Sequence, residues 1–460
     1  MNKYRFKIFI ALSLVLVAFA CNKKLDVLPQ NNVTPEQIQT AEDVKAVLFG
    51  GYGLMQRAGG FGEQYLLIAD LLASQDNVNW VGTFTNYKEI QRKKQLKDNA
   101  LPLNIWQNSY LTILNANTVL DKLDLLNADE KDAIEGEAKF IRGVCYYELI
   151  NFFAPPYAQG NVASLPGVPI VLQPVYDYDS TKDKPSRATV EAVYNQIISD
   201  LSDAAQKLPE TNGIRASKYA AEAFLARVYM NMNDYAKAAE MATDVISSGQ
   251  YALASSFDKA FNNESYSPED IFAIAQTVQS NAGTSNNGLT TFYSPKPPEG
   301  VGRGDAQIDP GYFSMFDNEN DQRYNYYVEG VGFAGIAGYY TDKWIKFYKY
   351  IPVVRLAEMY LTRGEANLRK GGAPTGGVSP LDDINIVRER SGGDALQNVT
   401  GNDFVDERLR ELAFEGDRVW TLKRLKMNID GLAYNDPKLV LPIPQAEIDV
   451  NNNLQQNQGY

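Results

Sequence analysis

Histidine is absent from all 460 residues. That excludes Ser-His-Asp triads, Cys-His dyads and His-ligated zinc or haem at once. Cysteine occurs only as Cys21 and Cys145, which together build neither a disulfide framework nor a four-cysteine metal site. Basic charge is in short supply. Lys and Arg number 44 against 56 Asp and Glu, a net charge of -12, so the basic footprint that nucleic-acid binding requires is missing. Long apolar runs are missing too: beyond the N-terminus no stretch approaches the roughly 18 residues of a membrane-spanning helix. The whole chain is 45% hydrophobic and 22% charged, with length for two or three domains or one extended helical array. Aromatic residues are plentiful, with 28 Tyr, 20 Phe and 4 Trp, a bias that favours a recognition surface over a reactive centre.

Residues 1–20 read as an export signal. Lys3, Arg5 and Lys7 make a positive n-region, and the apolar run 8–20 is broken only by Ser13. That run is too short for a permanent span. It ends in Ala18-Phe19-Ala20-Cys21, which resembles a bacterial lipobox in which Cys21 is acylated and becomes the mature N-terminus. Several acyl chains on one cysteine exceed the two-signal threshold for stable membrane anchoring. With Cys21 lipidated, Cys145 has no partner and is expected to be a buried, small apolar residue.

The body reads as mostly α. From Thr189, a plausible N-cap, apolar residues at Val190, Val193, Ile197, Leu201, Ala204 and Leu208 mark one helix face that Pro209 stops. Residues 216–231 and 235–248 form a helix pair at tetratricopeptide-repeat spacing, with Asn233-Asp234 as the turn. Further helices are expected over 111–126, 138–153 and 353–369. None has a full repeat consensus, so the array is a degenerate tetratricopeptide-like one. Residues 154–187 and 276–312 are loop-like, 271–275 reads as a short strand, and alternation through 344–348 suggests a hairpin arm. The expected architecture is a helical-repeat body over 21–460 with a loop-rich subdomain, a few short strands, and ligand-binding insertions near 72–100 and 276–350.

Several segments together resemble the SusD/RagB family of outer-membrane lipoproteins. After the cysteine come Leu25-Asp26 and Pro29, then Glu137-Ala138-Lys139-Phe140-Ile141-Arg142, Asn151-Phe152-Phe153 and Gly167-Val168-Pro169-Ile170-Val171. Thr189-Val190-Glu191-Ala192-Val193-Tyr194 follows, then Arg355-Leu356-Ala357-Glu358 with Tyr360-Leu361, and Asn385-Ile386-Val387-Arg388. The most family-like run is Glu407-Arg408-Leu409-Arg410-Glu411-Leu412-Ala413-Phe414-Glu415-Gly416-Asp417-Arg418. The chain closes with Leu441-Pro442-Ile443-Pro444 and Gln456-Asn457-Gln458-Gly459-Tyr460, where Gln458 replaces the family's proline. Asp321-Gln322-Arg323 likewise stands for the family's Asp-Pro-Arg. The resemblance implies a non-catalytic, lipid-anchored outer-membrane protein facing the cell exterior. Such proteins form a lid over a SusC-like TonB-dependent transporter and capture glycans, or in some members peptides, without a cofactor.

Aromatic rings stack on the apolar faces of sugars while amides and carboxylates bind the hydroxyls. Trp80 is the leading ligand candidate, because Asp76, Asn77 and Asn79 surround it in a polar loop and Phe84 and Tyr87 follow. The alternative is a ring folded under its own loop. Phe292 and Tyr293, in the long 276–312 stretch, are candidates on the same argument. Trp344 is expected to pack in the hairpin, and Trp106 and Trp420 in the core. A glycosidase would need a carboxylate pair, and Glu411 and Glu415 share a helix face at i and i+4. The arginines around them favour a structural ion-pair network instead, since an acid catalyst needs a raised pKa. Asp317-Asn318-Glu319-Asn320-Asp321 alternates oxygens as a calcium loop does, but Gln322 takes the glycine position and Val328 the twelfth. Gly300, Gly302 and Gly304 lack the strand and helix that would frame a phosphate cradle, and Arg303-Gly304-Asp305 reads as coincidence.

Overall fold

The computed structural model describes residues 37–177, 179 and 182–460. The signal sequence, Cys21, Leu25-Asp26 and Pro29 lie outside the described residues. In chain order the helices are α1 (Ala41–Gln56), α2 (Gln64–Leu72), α3 (Thr85–Gln91), α4 (Ala100–Asp121), α5 (Ala128–Phe153), α6 (Val190–Lys207), α7 (Lys218–Met232), α8 (Tyr235–Ser247), α9 (Leu289–Tyr293), α10 (Leu356–Lys370), α11 (Pro380–Arg390), α12 (Gly401–Leu412), α13 (Arg418–Arg424) and α14 (Gln445–Val450). The strands are β1 (Val78–Trp80), β2 (Asp270–Ile274), β3 (Ala306–Ile308), β4 (Tyr327–Val331), β5 (Ala337–Thr341) and β6 (Ile351–Arg355).

Helices consecutive in sequence pack on one another. The stack runs from α4 to α5, α6, α7 and α8, with α1 against α4 and α10 joining α8 to α11 and α12. Local chemistry sets its corners. The Thr189 side chain accepts from Ala192 N and starts α6. Ser217 and Asp234 cap α7 and α8, and Asn233 makes the left-handed turn between them at φ 60°. Where α5 crosses α6 the backbones come close, because a Cβ at Gly143 would sit 3.0 Å from Leu201 Cγ. Arg142 fixes that crossing. Its Nε and Nη2 donate to both oxygens of Asp200 at 2.9 and 2.6 Å, and its Nη1 donates to Asn117 on α4 at 2.8 Å. Cys145 is buried in α5 as a free thiol, and burial pushes it well above its ordinary pKa.

The strands form three two-stranded antiparallel ladders: β1 with β3, β2 with β6, and β4 with β5. Trp80 lies opposite Ala306, and Glu329 opposite Tyr339.

Four expected elements differ. The helix expected at 353–369 begins only at Leu356, because Ile351, Pro352, Val353 and Val354 form the fully buried strand β6. An apolar, β-branched run looks alike in a buried helix and a buried strand. The helix expected at 111–126 starts at Ala100 under an Asn99 cap and ends at Asp121, so Trp106 and Tyr110 lie inside it. The helix over 138–153 starts at Ala128. The hairpin is not at 344–348: Trp344 ends a 3-10 turn, and its indole N–H donates to Phe414 O at 2.9 Å. The true hairpin, β4–β5, was hidden by its glycines, which read as a breaker. Gly330 and Gly338 pair across the ladder and face inward, where Cβ atoms would come within 2.7 Å of Pro295 and 2.5 Å of Gln307.

Candidate functional site

The polar loop around Trp80 folds inward. Val78 and Trp80 point into the protein and Asn79 points outward, the period-two alternation of β1. Trp80 is 4% exposed. It stacks on Tyr87 at 4.3 Å with an 11° interplanar angle, and meets Phe292 edge-on at 5.3 Å. Tyr87 donates to Glu63, and Tyr293 donates to Asp70 at 2.7 Å. Asn77 also donates to Asp70, at 3.0 Å. Burial pushes both acids, Glu63 and Asp70, up to about 7. The structure places Trp80, Tyr87, Phe292, Tyr293 and Asn77, all expected to present themselves to a ligand, in the interior instead. The sequence shows a polar loop but not which face of a three-residue strand turns inward. Asp76, Asn79 and Phe84 keep partial exposure. Asn79 donates to Asp309 at 2.6 Å, which ties the loop to the turn carrying Phe313.

Phe84 leads to a surface that the sequence reasoning missed. The Arg303 guanidinium lies between two rings, 4.6 Å from Phe84 and 4.2 Å from Phe333. Its Nε donates to Asp305 at 2.8 Å, while Nη1 and Nη2 lie 3.4 and 3.5 Å from Asn286 Oδ1 and Thr83 Oγ1. Phe333 is 54% exposed at the tip of the β4–β5 hairpin. The same hairpin carries Tyr327 and Tyr339, whose rings lie 5.0 Å apart. Phe313 packs against Tyr327, Tyr339 and Tyr324 at 5.3, 5.2 and 5.7 Å. Tyr339 is 38% exposed; Phe313, Tyr324 and Tyr327 are half-buried. The hydroxyls of Tyr324, Tyr327 and Tyr339 have no hydrogen-bond partner among the described residues. Burial and the nearby Glu329 carboxylate raise the Tyr327 hydroxyl above its usual value. Val331 and Ile336 extend the exposed apolar surface. The alternation Tyr327-x-Glu329-x-Val331-x-Phe333, with glycines at 330 and 332, is the sequence signal for this face.

The paired carboxylates have a different environment. α12 ends at Leu412, so Glu415 lies beyond the helix rather than one turn along it. Glu411 accepts from Arg355 at 2.9 Å, from Arg323 at 3.2 Å and from Arg390. Glu415 accepts from Lys343 at 2.6 Å and from Arg355 at 2.8 and 2.9 Å. Burial alone would raise the Glu411 carboxyl, but Arg390, Arg355, Arg323 and Lys343 together hold it far below the usual carboxylate range. This is a structural ion-pair network, as expected, but its cations come from distant segments rather than from the neighbouring Arg408, Arg410 and Arg418; it leaves the pair ionised, with no proton to donate at neutral pH. Asp321, in the calcium-like stretch, spends both oxygens on Arg323 at 2.9 and 2.6 Å. Among the described residues no group of three or more His, Cys, Asp and Glu is placed to hold a metal ion. Arg303-Gly304-Asp305 is not presented as a motif either, because Asp305 is fully buried.

Comparison with known proteins follows the same lines. Residues 23–230 match a family described as SusD-like, starch-binding and associating with the outer membrane, and residues 337–433 match the SusD family. SusD-like protein P2 of Formosa agariphila is 27% identical over the full length of both chains. The starch-binding protein SusD of Bacteroides thetaiotaomicron is 26% identical over 76% of each. A solved SusD-superfamily structure from Bacteroides thetaiotaomicron superposes with a TM-score of 0.82 at 27% identity, covering 91% of this chain and all of that one. The ordered helical pairs, the three small ladders and these matches to both halves of the sequence place the chain in the SusD/RagB family.

Proposed function

We propose that this chain is a cell-surface lipoprotein that captures glycans on the hairpin platform and passes them to a SusC-like TonB-dependent transporter. One observation carries the reading: four clustered rings, Phe313, Tyr324, Tyr327 and Tyr339, with three phenol hydroxyls that no protein group occupies. Ring faces stack against the C–H faces of a pyranose, and the hydroxyls both donate to and accept from sugar hydroxyls. Phe333, Arg303 and Phe84 extend the platform with an aromatic edge and spare guanidinium donors, and Asn79 and Asp76 border it. Capture needs no bond chemistry, consistent with arginine-neutralised carboxylates and with relatives named for starch binding. The outer-membrane description of the matching family and the lipobox at Cys21 support anchoring there, while the outward orientation and the transporter partner rest on the family resemblance.

The test is isothermal titration of the purified protein with soluble starch, laminarin, xylan and mannan, and with a peptide panel, in wild type, Tyr339→Ala and Phe333→Ala. Each lost ring should cost about 1 kcal/mol or more, roughly 5- to 10-fold in Kd, for whichever glycan binds. Glycan binding untouched by both substitutions would move the site elsewhere. Binding confined to peptides would replace the ligand class.

A further inference from the structure

Resting on the glycan-binding reading above, we infer that the platform selects neutral polysaccharides and turns away anionic ones bearing uronate or sulfate groups. The charges that border the rings are mostly acidic. Glu329 is exposed directly across the ladder from Tyr339 and close enough to act on the Tyr327 hydroxyl. Asp309 flanks the turn that carries Phe313 and accepts from Gly311 N at 2.9 Å and from Asn79 at 2.6 Å. Asp76 stands against the same turn, its Oδ1 2.1 Å from where a Cβ at Gly311 would lie. Glu299 is exposed beside Gly330 under the hairpin.

Three cations oppose these four acids: Lys296, Arg303 and Arg418, the last close enough to act on Asp76 and with its Nε and Nη1 unpartnered among the described residues. Lys296 sits near the tip of the hairpin, where its backbone N–H donates to Val331 O at 3.1 Å. Arg303 is already committed to Oδ2 of Asp305, a fully buried carboxylate whose Oδ1 has no hydrogen-bond partner among the described residues. Withdrawing the guanidinium to serve a ligand carboxylate would leave that buried charge uncompensated, which is strongly unfavourable. Arg303 can instead keep its Nε on Asp305 and offer Nη1 and Nη2 to neutral hydroxyls, as it offers them to Asn286 and Thr83. A uronate or sulfate on the rings would meet Glu329, Asp309 and Asp76, acids that outnumber Lys296, the cation beside the hairpin that makes no ion pair among the described residues. This repulsion acts between solvent-exposed groups, so salt screens it over roughly 8–10 Å.

The experiment titrates wild type and Glu329→Lys with two neutral probes, maltoheptaose and laminarihexaose, and two anionic ones, hexagalacturonate and oligoalginate, in low and high salt. Circular dichroism checks that the exposed substitution leaves the fold intact. The expected result is a neutral probe bound at least ~10-fold more tightly than either anionic one in low salt, a gap that narrows in high salt. Glu329→Lys should strengthen the anionic probes by roughly 3- to 10-fold in low salt only. An anionic probe bound more tightly than both neutral ones, or anionic affinity unmoved by Glu329→Lys, overturns the selectivity while leaving glycan capture standing. No binding of any saccharide overturns the glycan reading together with the selectivity.

Discussion

Glu148 allows a quantitative test of the interior. It lies on α5, is 5% exposed, and borders a cavity of about 40 Å³ shared with Arg227, Glu358, Arg408 and Asp417. It has no hydrogen-bond partner among the described residues. Arg227, the nearest cation, is taken by Glu358, to which it donates twice at 2.7 Å. Burial, only partly offset by Arg227, pushes the Glu148 carboxyl up from 4.5 to about 8. The folded chain therefore binds this proton more tightly than the unfolded chain does. The stabilising contribution is fully present below the unfolded value near 4.5 and is lost as pH rises through the folded value near 8. Each unit of that shift is about 1.4 kcal/mol, so the full loss is on the order of 3–5 kcal/mol. Glu148→Gln keeps the shape and removes the titration, and the cavity has room for a water that could serve the new amide. Urea unfolding of both proteins from pH 5 to pH 9 should show nearly equal stability at the acid end. The gap should then widen by about 1.4 kcal/mol per pH unit in favour of the variant until it levels off near pH 8. Asp70 and Asp270, pushed up to about 7 by burial, and Lys423, pushed down to about 7 by burial, titrate in both proteins and cancel in the difference. A gap that stays flat across this range would refute the burial argument.

Two further substitutions test the assignments around the site. Trp80→Ala removes a ring stacked on Tyr87 inside the protein, so it should cost ~3–5 kcal/mol of stability, read as a fall in Tm. An unchanged Tm with lost glycan affinity would instead make Trp80 a ligand ring. Arg355→Met strands Glu269, Glu411 and Glu415 without their shared guanidinium, and denaturant titration should show a loss of ~3–5 kcal/mol. A change below about 1 kcal/mol would mean that the remaining cations suffice.

The helical array was legible because its signals are local. Caps at Thr189 and Ser217, the Asn233 turn, and apolar residues every three to four positions act within one or two turns of chain, so sequence order carries them. The same holds for the burial of Cys145, and an ion-paired fate for Glu411 and Glu415 was legible too, although the cations that hold them, Arg323, Lys343, Arg355 and Arg390, come from distant segments. The order of family-like segments from Leu25 to Tyr460 was legible on the same terms. Absence was informative as well: without histidine and with acidic charge in excess, whole classes of chemistry were closed before any fold was drawn.

What the tertiary structure decided is which aromatic rings face outward. Trp80 and Phe84 lie four residues apart in one polar stretch, yet Trp80 is sealed beneath Tyr87 while Phe84 remains partly exposed beside Arg303. A strand alternates faces every residue, and only its partner fixes which face is inside; β1 finds that partner in β3, more than two hundred residues on. The platform is likewise a product of distant pairing, because Phe313 comes from a turn, Tyr327 and Tyr339 from opposite strands, and Arg303 from a loop beneath them. Glycines at Gly330 and Gly338 read as interruptions in the sequence, but in space they are what lets the hairpin lie flat against Pro295 and Gln307 with its rings turned to solvent. Composition and period thus set the class of protein and the helices of its body, whereas the recognition surface depended on long-range strand pairing that no local pattern encodes.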